Sequence, residues 1–177
     1  MDEVDTRAPA VVVDLCCGAG ALAVAIAAGT RPGSIRSLHA ADVDPRATAC
    51  AEAIRRRSGA VHLGDLFDAL PPELCGSVDV LVVNAPHTCR PARSRPCPRS
   101  GAERTSTPWR WTEGLTAWTH QGYRGRGVGL AAHRRRLLVE TSDRQADATM
   151  AVLARRGLTT GVVDDDVVVA RGRRAAD

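Results

Sequence analysis

Residues 11–20, VVVDLCCGAG, constrain this chain more than any other stretch of its length. Three consecutive valines with no polar alternation suit a central parallel strand covered on both faces. Asp14 is expected to close that strand. Gly18 and Gly20 follow, and the helix-favouring run ALAVAIAA fills residues 21–28, so a glycine turn stands between a strand and a helix amino terminus. Glycine lets backbone approach a bound group closely. The first N–H groups of a helix lack internal partners and favour negative charge. Strand, turn and helix together form a cradle for a ligand with an acidic end. The spelling GAGALA also fits a degenerate dinucleotide fingerprint or an ordinary strand-to-helix turn, so other residues must decide.

The pattern of a strand ending in a polar residue recurs down the chain. Asp42 closes SLHAAD, 22 residues beyond Gly20, where a carboxylate can accept hydrogen bonds from both hydroxyls of a ribose. Asp44-Pro45 supplies an N-cap and an N1 proline for a helix over 46–57, which leaves Asp42 free for a ligand. Asp65 closes VHLGD, in position to meet the amino group of an adenine, and Leu66 follows it; a solvated turn aspartate is an equal alternative. Asn84 closes VDVLVV and precedes Ala85, Pro86 and His87. Asp14, Cys16, Gly18, Gly20, Asp42, Asp65, Leu66 and Asn84 are therefore the candidate cofactor-binding residues. A ligand with a carboxylate, a ribose and an adenine matches them, and S-adenosyl-L-methionine (AdoMet) is one.

In order, VVDLCCGAGALA, AADVDPRA, GDLFDALP and VNAP resemble the class I AdoMet-dependent methyltransferases, and among them the protein N5-glutamine methyltransferases that modify peptide-release factors. The resemblance covers residues 11–86 and resumes at Leu137. It implies a Rossmann-like α/β fold, with seven strands in a mostly parallel sheet, an antiparallel last strand, and AdoMet at the carboxyl ends of the first strands. It also places Asn84, Ala85, Pro86 and His87 where the family carries N-P-P-Y, the motif that receives the glutamine side chain. A carboxamide nitrogen is a poor nucleophile because its lone pair is delocalised, so it must be held in line with the sulfonium methyl. By the resemblance, Asn84 and the carbonyl of Ala85 accept its two N–H bonds. Ala85 in place of the first proline keeps that carbonyl, and His87 in place of tyrosine can still stack.

Residues 88–136 change character. They hold all three tryptophans, the only tyrosine and eleven of the 24 basic residues, all of them arginine, against two acids, Glu103 and Glu113. Their formal charge of +9 outweighs the +4 of the whole chain. The segment lacks hydrophobic periodicity and is expected to be irregular. One reading is a nucleic-acid arm, with arginines on phosphates and Trp and Tyr stacked on bases. The preferred reading is a shifted reading frame. Back-translated with GC-rich codons and read from the third base, residues 87–119 permit a peptide with the PPE and GG-x-DGL elements that the glutamine methyltransferases carry after N-P-P-Y. The family pattern returns in LLVETSDRQADATMAVLARRGL. Such a shift, together with the short stretch before the first strand, where the family carries a helical domain or arm, predicts weak or absent methyl transfer with AdoMet binding retained.

The rest reads as one domain: 8–87 the cofactor half, 88–136 the basic segment, and 137–172 the closing strands and helix. LLVE is a fifth strand, Ser142 or Asp143 caps a helix through Arg156, and Gly157 ends it. LTTGVV and VVVA, joined by Asp164, Asp165 and Asp166, form the antiparallel pair, and the acidic turn is read as a solvated hairpin. The six cysteines, 16, 17, 50, 75, 89 and 97, show no paired C-x-x-C spacing, so no metal is expected. Cys16 and Cys17 are expected to be small buried thiols. No signal peptide or membrane-length apolar run is present, which fits a cytoplasmic protein with no membrane partner. The expected partner is a peptide-release factor. The alternatives are an inactive AdoMet-binding remnant and a nucleic-acid-binding protein or nucleic-acid amino-methyltransferase.

Overall fold

The computed structural model describes residues 9–51, 54, 59–74, 77–84, 136–141, 143–155, 157–164 and 167–172. They form a seven-stranded sheet: β1 (Ala10–Leu15), β2 (Ile35–Asp42), β3 (Ala60–Leu63), β4 (Val80–Val83), β5 (Arg136–Glu140), β6 (Leu158–Asp164) and β7 (Val167–Gly172). Their order across the sheet is β3-β2-β1-β4-β5-β7-β6. The first five pair in parallel, and β7 runs antiparallel to both β5 and β6. The helices are α1 (Ala21–Gly29), α2 (Pro45–Cys50) and α3 (Asp143–Arg155). This is the architecture expected from the sequence.

β1 explains the arrangement. All six of its residues are buried, because it pairs with β2 on one side and β4 on the other and is covered on both faces. Val11, Val13 and Leu15 join a core containing Leu81, Leu137 and Leu153, while Ala10 and Val12 join a second core containing Ala23, Ile26 and Ile54. A run of valine with no polar alternation is the sequence form of that two-sided burial. In α3 the buried positions Ala146, Thr149 and Leu153 follow helical spacing, so one stripe of the helix packs on the first core.

Element ends differ from the sequence expectation at β1, β3 and β5. Asp14 lies inside β1, with Leu15 as its last residue. β3 ends at Leu63, and Asp65 instead begins a 3-10 turn over Leu66–Ala69. Arg136, assigned to the irregular segment, is the first residue of β5, where Val80 partners it in the parallel ladder. α2 is described over Pro45–Cys50, and residues 52–53 and 55–57 of the expected helix lie outside the described residues. The N-cap expected for α2 is present, with Asp44 accepting a hydrogen bond from the N–H of Arg46 at 2.8 Å and Pro45 between them, whereas Ser142, a candidate cap of α3, lies outside the described residues. Gly157 follows α3 with φ 82°, a left-handed conformation that glycine adopts without strain. Of the basic segment, residues 88–135 lie outside the described residues, as do Asp165 and Asp166.

On the first core's side of the β2–β3 edge, His39 and His62 meet with ring nitrogens 3.1 Å apart, ring centroids 5.4 Å apart and an interplanar angle of 16°. That geometry sets the rings edge to edge, so one nitrogen donates and the other accepts. Burial, then the neighbouring His62, holds His39 below the usual histidine range. Its neutral form is favoured only in the folded chain. The resulting stability is present above about pH 6.5, the unfolded histidine value, and is lost as pH falls through the lowered folded value. In urea titrations, His39→Leu is expected to lose less stability between pH 7 and pH 5 than the wild-type chain does.

Candidate functional site

The sheet's topology picks out one edge. β1 connects onward to β2 on one side, whereas β4 lies on the other, so the carboxyl ends of β1 and β4 flank the point where strand order reverses, the usual ligand crevice of an open α/β sheet. The glycine turn leaves β1 at this edge, Asn84 leaves β4 beside it, and Asp42 ends β2 on the other flank. Asn84 is exposed, and its N–H donates to the carbonyl of Leu15 at 3.4 Å.

Hydrogen bonds lock these ends together. The Asp42 carboxylate accepts from the N–H of Gly18 at 2.8 Å through one oxygen and from the N–H of Asp44 at 2.9 Å through the other. The N–H of Cys17 donates to the carbonyl of Ala41 at 3.1 Å, and that of Gly64 to the carbonyl of Asp42 at 3.0 Å. Asp42 therefore first orients the glycine turn. Each carboxylate oxygen has a second lone pair, so it can also accept from a ligand hydroxyl.

The two glycines of the turn have different tasks. A Cβ at Gly18, φ 54°, would meet nothing within 4 Å, so open space lies beside it. A Cβ at Gly20, φ 80°, would stand 2.6 Å from Ile54 Cδ1 and 3.1 Å from the Ala51 Cβ. Gly20 thus serves close packing of the turn on the end of the α2 region rather than ligand approach. Cys16, φ 59°, and Leu66, φ 48°, are non-glycine residues in left-handed backbone. That conformation costs roughly 1–2 kcal/mol per residue, and such strain collects at ligand-binding loops. Both side chains pack against the first core, so Leu66 offers a ligand mainly its backbone.

No protein-family model and no curated protein sequence matches the chain. The ribosomal protein L11 methylase from Lactobacillus delbrueckii subsp. bulgaricus superposes with a TM-score of 0.61 and 14% identity, covering 98% of this chain and 77% of that one. A tRNA (m1A22) methyltransferase candidate from Streptococcus pneumoniae gives 0.60 and 13%, covering 99% and 70%. Aeropyrum pernix fibrillarin, whose structure holds natively bound S-adenosyl-L-methionine, gives 0.54 and 14%, covering 93% and 66%. The chain has the class I methyltransferase fold. At these identities the likeness is one of fold.

Within this fold, ionisable groups are gathered beneath the turn. Asp14 is fully buried in the middle of the sheet; one carboxyl oxygen accepts from the N–H of Ala23 in the first turn of α1 at 3.0 Å. It does the work of an N-cap from an adjacent strand, because the true N-cap is Gly20, which has no side chain. The other oxygen, Oδ1, is buried without a hydrogen-bond partner among the described residues. Burial pushes the Asp14 carboxyl up to about 7, with a smaller push from Asp42, against the pull of the Ala23 hydrogen bond. Burial also pushes Cys16 and Cys17 up to about 12, assisted by the nearby carboxylates of Asp14 and Asp42. Asp65 adds to the effect at Cys16, which sets it near the same cluster.

The structure thus gathers Asp14, Cys16, Gly18, Gly20, Asp42, Asp65, Leu66 and Asn84 at one edge, while Ala85, Pro86 and His87 lie outside the described residues. Sequence reasoning missed two features. Val43, directly after Asp42, is 52% exposed and presents an apolar side chain at this edge. The available signal was an apolar residue set between two aspartates at a strand end. The link from Asp14 to Ala23 carried no local signal. No group of three or more metal-ligating side chains occurs among the described residues.

Cys16 and Cys17 are half-buried where the sequence predicted buried thiols, and as neutral thiols they are poor nucleophiles. With iodoacetamide at pH 8, peptide mass spectrometry is expected to find the exposed Cys50 labelled more than tenfold faster than Cys16 or Cys17. Gly20→Ala combines a left-handed φ with contact on Ile54 and Ala51, and is expected to lower stability by about 1–3 kcal/mol in denaturant titrations.

Proposed function

We propose that this protein is an AdoMet-dependent methyltransferase whose acceptor is the side-chain amide of a protein glutamine, a peptide-release factor being the substrate that the motif resemblance implies. One observation supports it above the others: Asp42, at the end of β2, holds the glycine turn of β1 by the N–H of Gly18, at the same sheet edge as exposed Asn84. The fold neighbours include proteins named as methylases of a ribosomal protein and of tRNA, and one with AdoMet bound.

The residues fit the cofactor. Open space beside Gly18 admits a close approach, Asp42 retains lone pairs for ribose hydroxyls, exposed Val43 can lie against an adenine face, and buried Asp14 supplies an acidic group below a cationic ligand. The cofactor contributes an electrophilic methyl on a sulfonium. The protein's task is placement. Asn84 accepts one N–H of the substrate amide and, with the Ala85 carbonyl taking the other, turns the nitrogen toward that methyl. Near-attack placement of this kind is worth on the order of 7–11 kcal/mol in the best intramolecular cases. No general base is needed before transfer, since the product nitrogen can lose its proton afterwards.

The runner-up acceptor is an exocyclic amine of a nucleic-acid base, which the same asparagine would orient; the eleven arginines of residues 88–136 and the RNA-modifying fold neighbours favour it. Transfer of labelled methyl from AdoMet to release factor and to RNA separates the two acceptors. Asn84→Ala is expected to lower transfer by at least about a hundredfold at saturating AdoMet, well beyond any weakening of AdoMet binding that calorimetry records. Transfer by Asn84→Ala at the wild-type rate would remove this reading. AdoMet binding by the wild-type chain with no transfer to either acceptor would identify the non-catalytic remnant.

A further inference from the structure

The most unusual group among the described residues is the Asp14 carboxyl. It is fully buried, one oxygen is used by the N–H of Ala23, and Oδ1 has no partner among the described residues. In the strand ladders its partners are Ala40 on β2 and Val82 on β4, neither of which can neutralise it. The first turn of α1 carries no acidic side chain and the helix's last turn no basic one. The groups that reach it electrostatically are Asp42, which disfavours a second negative charge, and the thiols of Cys16 and Cys17, which are themselves neutral. Asp65 stands one step further off, beside Cys16. A buried carboxyl with a backbone donor on one oxygen and nothing on the other is most stable carrying a proton on the bare oxygen. The positive end of α1 and the Ala23 hydrogen bond favour the anion, but not enough to overcome burial.

We propose that Asp14 couples occupancy of this site to proton release: arrival of a cationic ligand above the glycine turn converts a protonated Asp14 to its anion, so the proton leaves as AdoMet binds. The inference rests on the AdoMet reading above and adds a property of this chain's own residue to it. A cation close to a carboxyl in a low-dielectric setting favours ionisation, whereas the empty cradle favours the acid. The step balances: the O–H bond of Asp14 breaks, its electron pair stays on Oδ1, and the proton passes to buffer. No redox partner is involved. Binding must then strengthen as pH rises. The free carboxyl lies near 7, so it holds its proton at pH 6 and has lost it at pH 8, and with full coupling affinity is expected to rise about tenfold over that span through this group alone.

The test is isothermal titration calorimetry of the full chain with AdoMet at pH 6.0 to 6.5, in two buffers of different ionisation enthalpy. At that pH the α-amino group of the ligand is already protonated and contributes little. The wild-type chain is expected to release more than half a proton per AdoMet bound. Asp14→Asn, which keeps an oxygen for the Ala23 N–H, is expected to release none and to show an affinity about tenfold less dependent on pH. Equal release by both chains, or none by the wild type, would overturn the proposal. If Asp14→Asn does not fold, carboxyl carbon-13 NMR of the wild-type chain decides instead: the Asp14 midpoint is expected to fall on adding AdoMet, and an unmoved midpoint overturns the coupling. Binding of AdoMet without proton release removes only the coupling. Absence of any binding heat or thermal shift at any pH removes the AdoMet reading, and the coupling with it.

Discussion

Complete burial of β1 is the constraint from which the rest of this structure follows. A strand buried on both faces needs a neighbour on each side and a layer over each face. β2, β4 and the two cores supply these. With β1 immobilised, its carboxyl end becomes a fixed platform, and the turn that follows can hold left-handed backbone at Cys16, Gly18 and Gly20 because the strand, Asp42 and the α2 region over-determine it. The site is therefore built at the end of a fully buried strand.

Two aspartates at this edge show how the same side chain takes different roles through its surroundings. Asp42 is only partly buried and spends its oxygens on backbone N–H groups of the turn and of its own loop. Asp14 is sealed in the sheet with one donor and one bare oxygen, so burial moves it toward neutral pH. The first acts as a staple that can also accept from a ribose. The second acts as a reservoir for one proton.

Much of the fold was legible in the chain because its main signals are local. Uninterrupted valine marked β1, Asp44-Pro45 marked the start of α2, Gly157 marked the end of α3, and the motif resemblance implied a seven-stranded, mostly parallel sheet with an antiparallel last strand, although the order of the strands came only from the structure. Element ends were less legible, since Leu63 and Asp65 differ in pairing rather than in propensity: β2 extends only far enough to partner Leu63, and the chain then turns into Leu66–Ala69. The candidate site followed the same division. Its residue types could be named, but not which of them holds which.

The sequence by itself determined the cradle: a buried strand, glycines at a turn, acidic residues at successive strand ends and an asparagine after the fourth strand, because each is a short-range pattern tied to backbone geometry. Only the tertiary structure decided that Gly20 answers to Ile54 and Ala51, that Asp42 clasps the turn of a neighbouring strand, and that Asp14 reaches Ala23 yet leaves one oxygen bare. These are contacts between residues distant in the chain or on different elements. Burial, which sets the charge of Asp14, exists only once both layers have closed on the sheet.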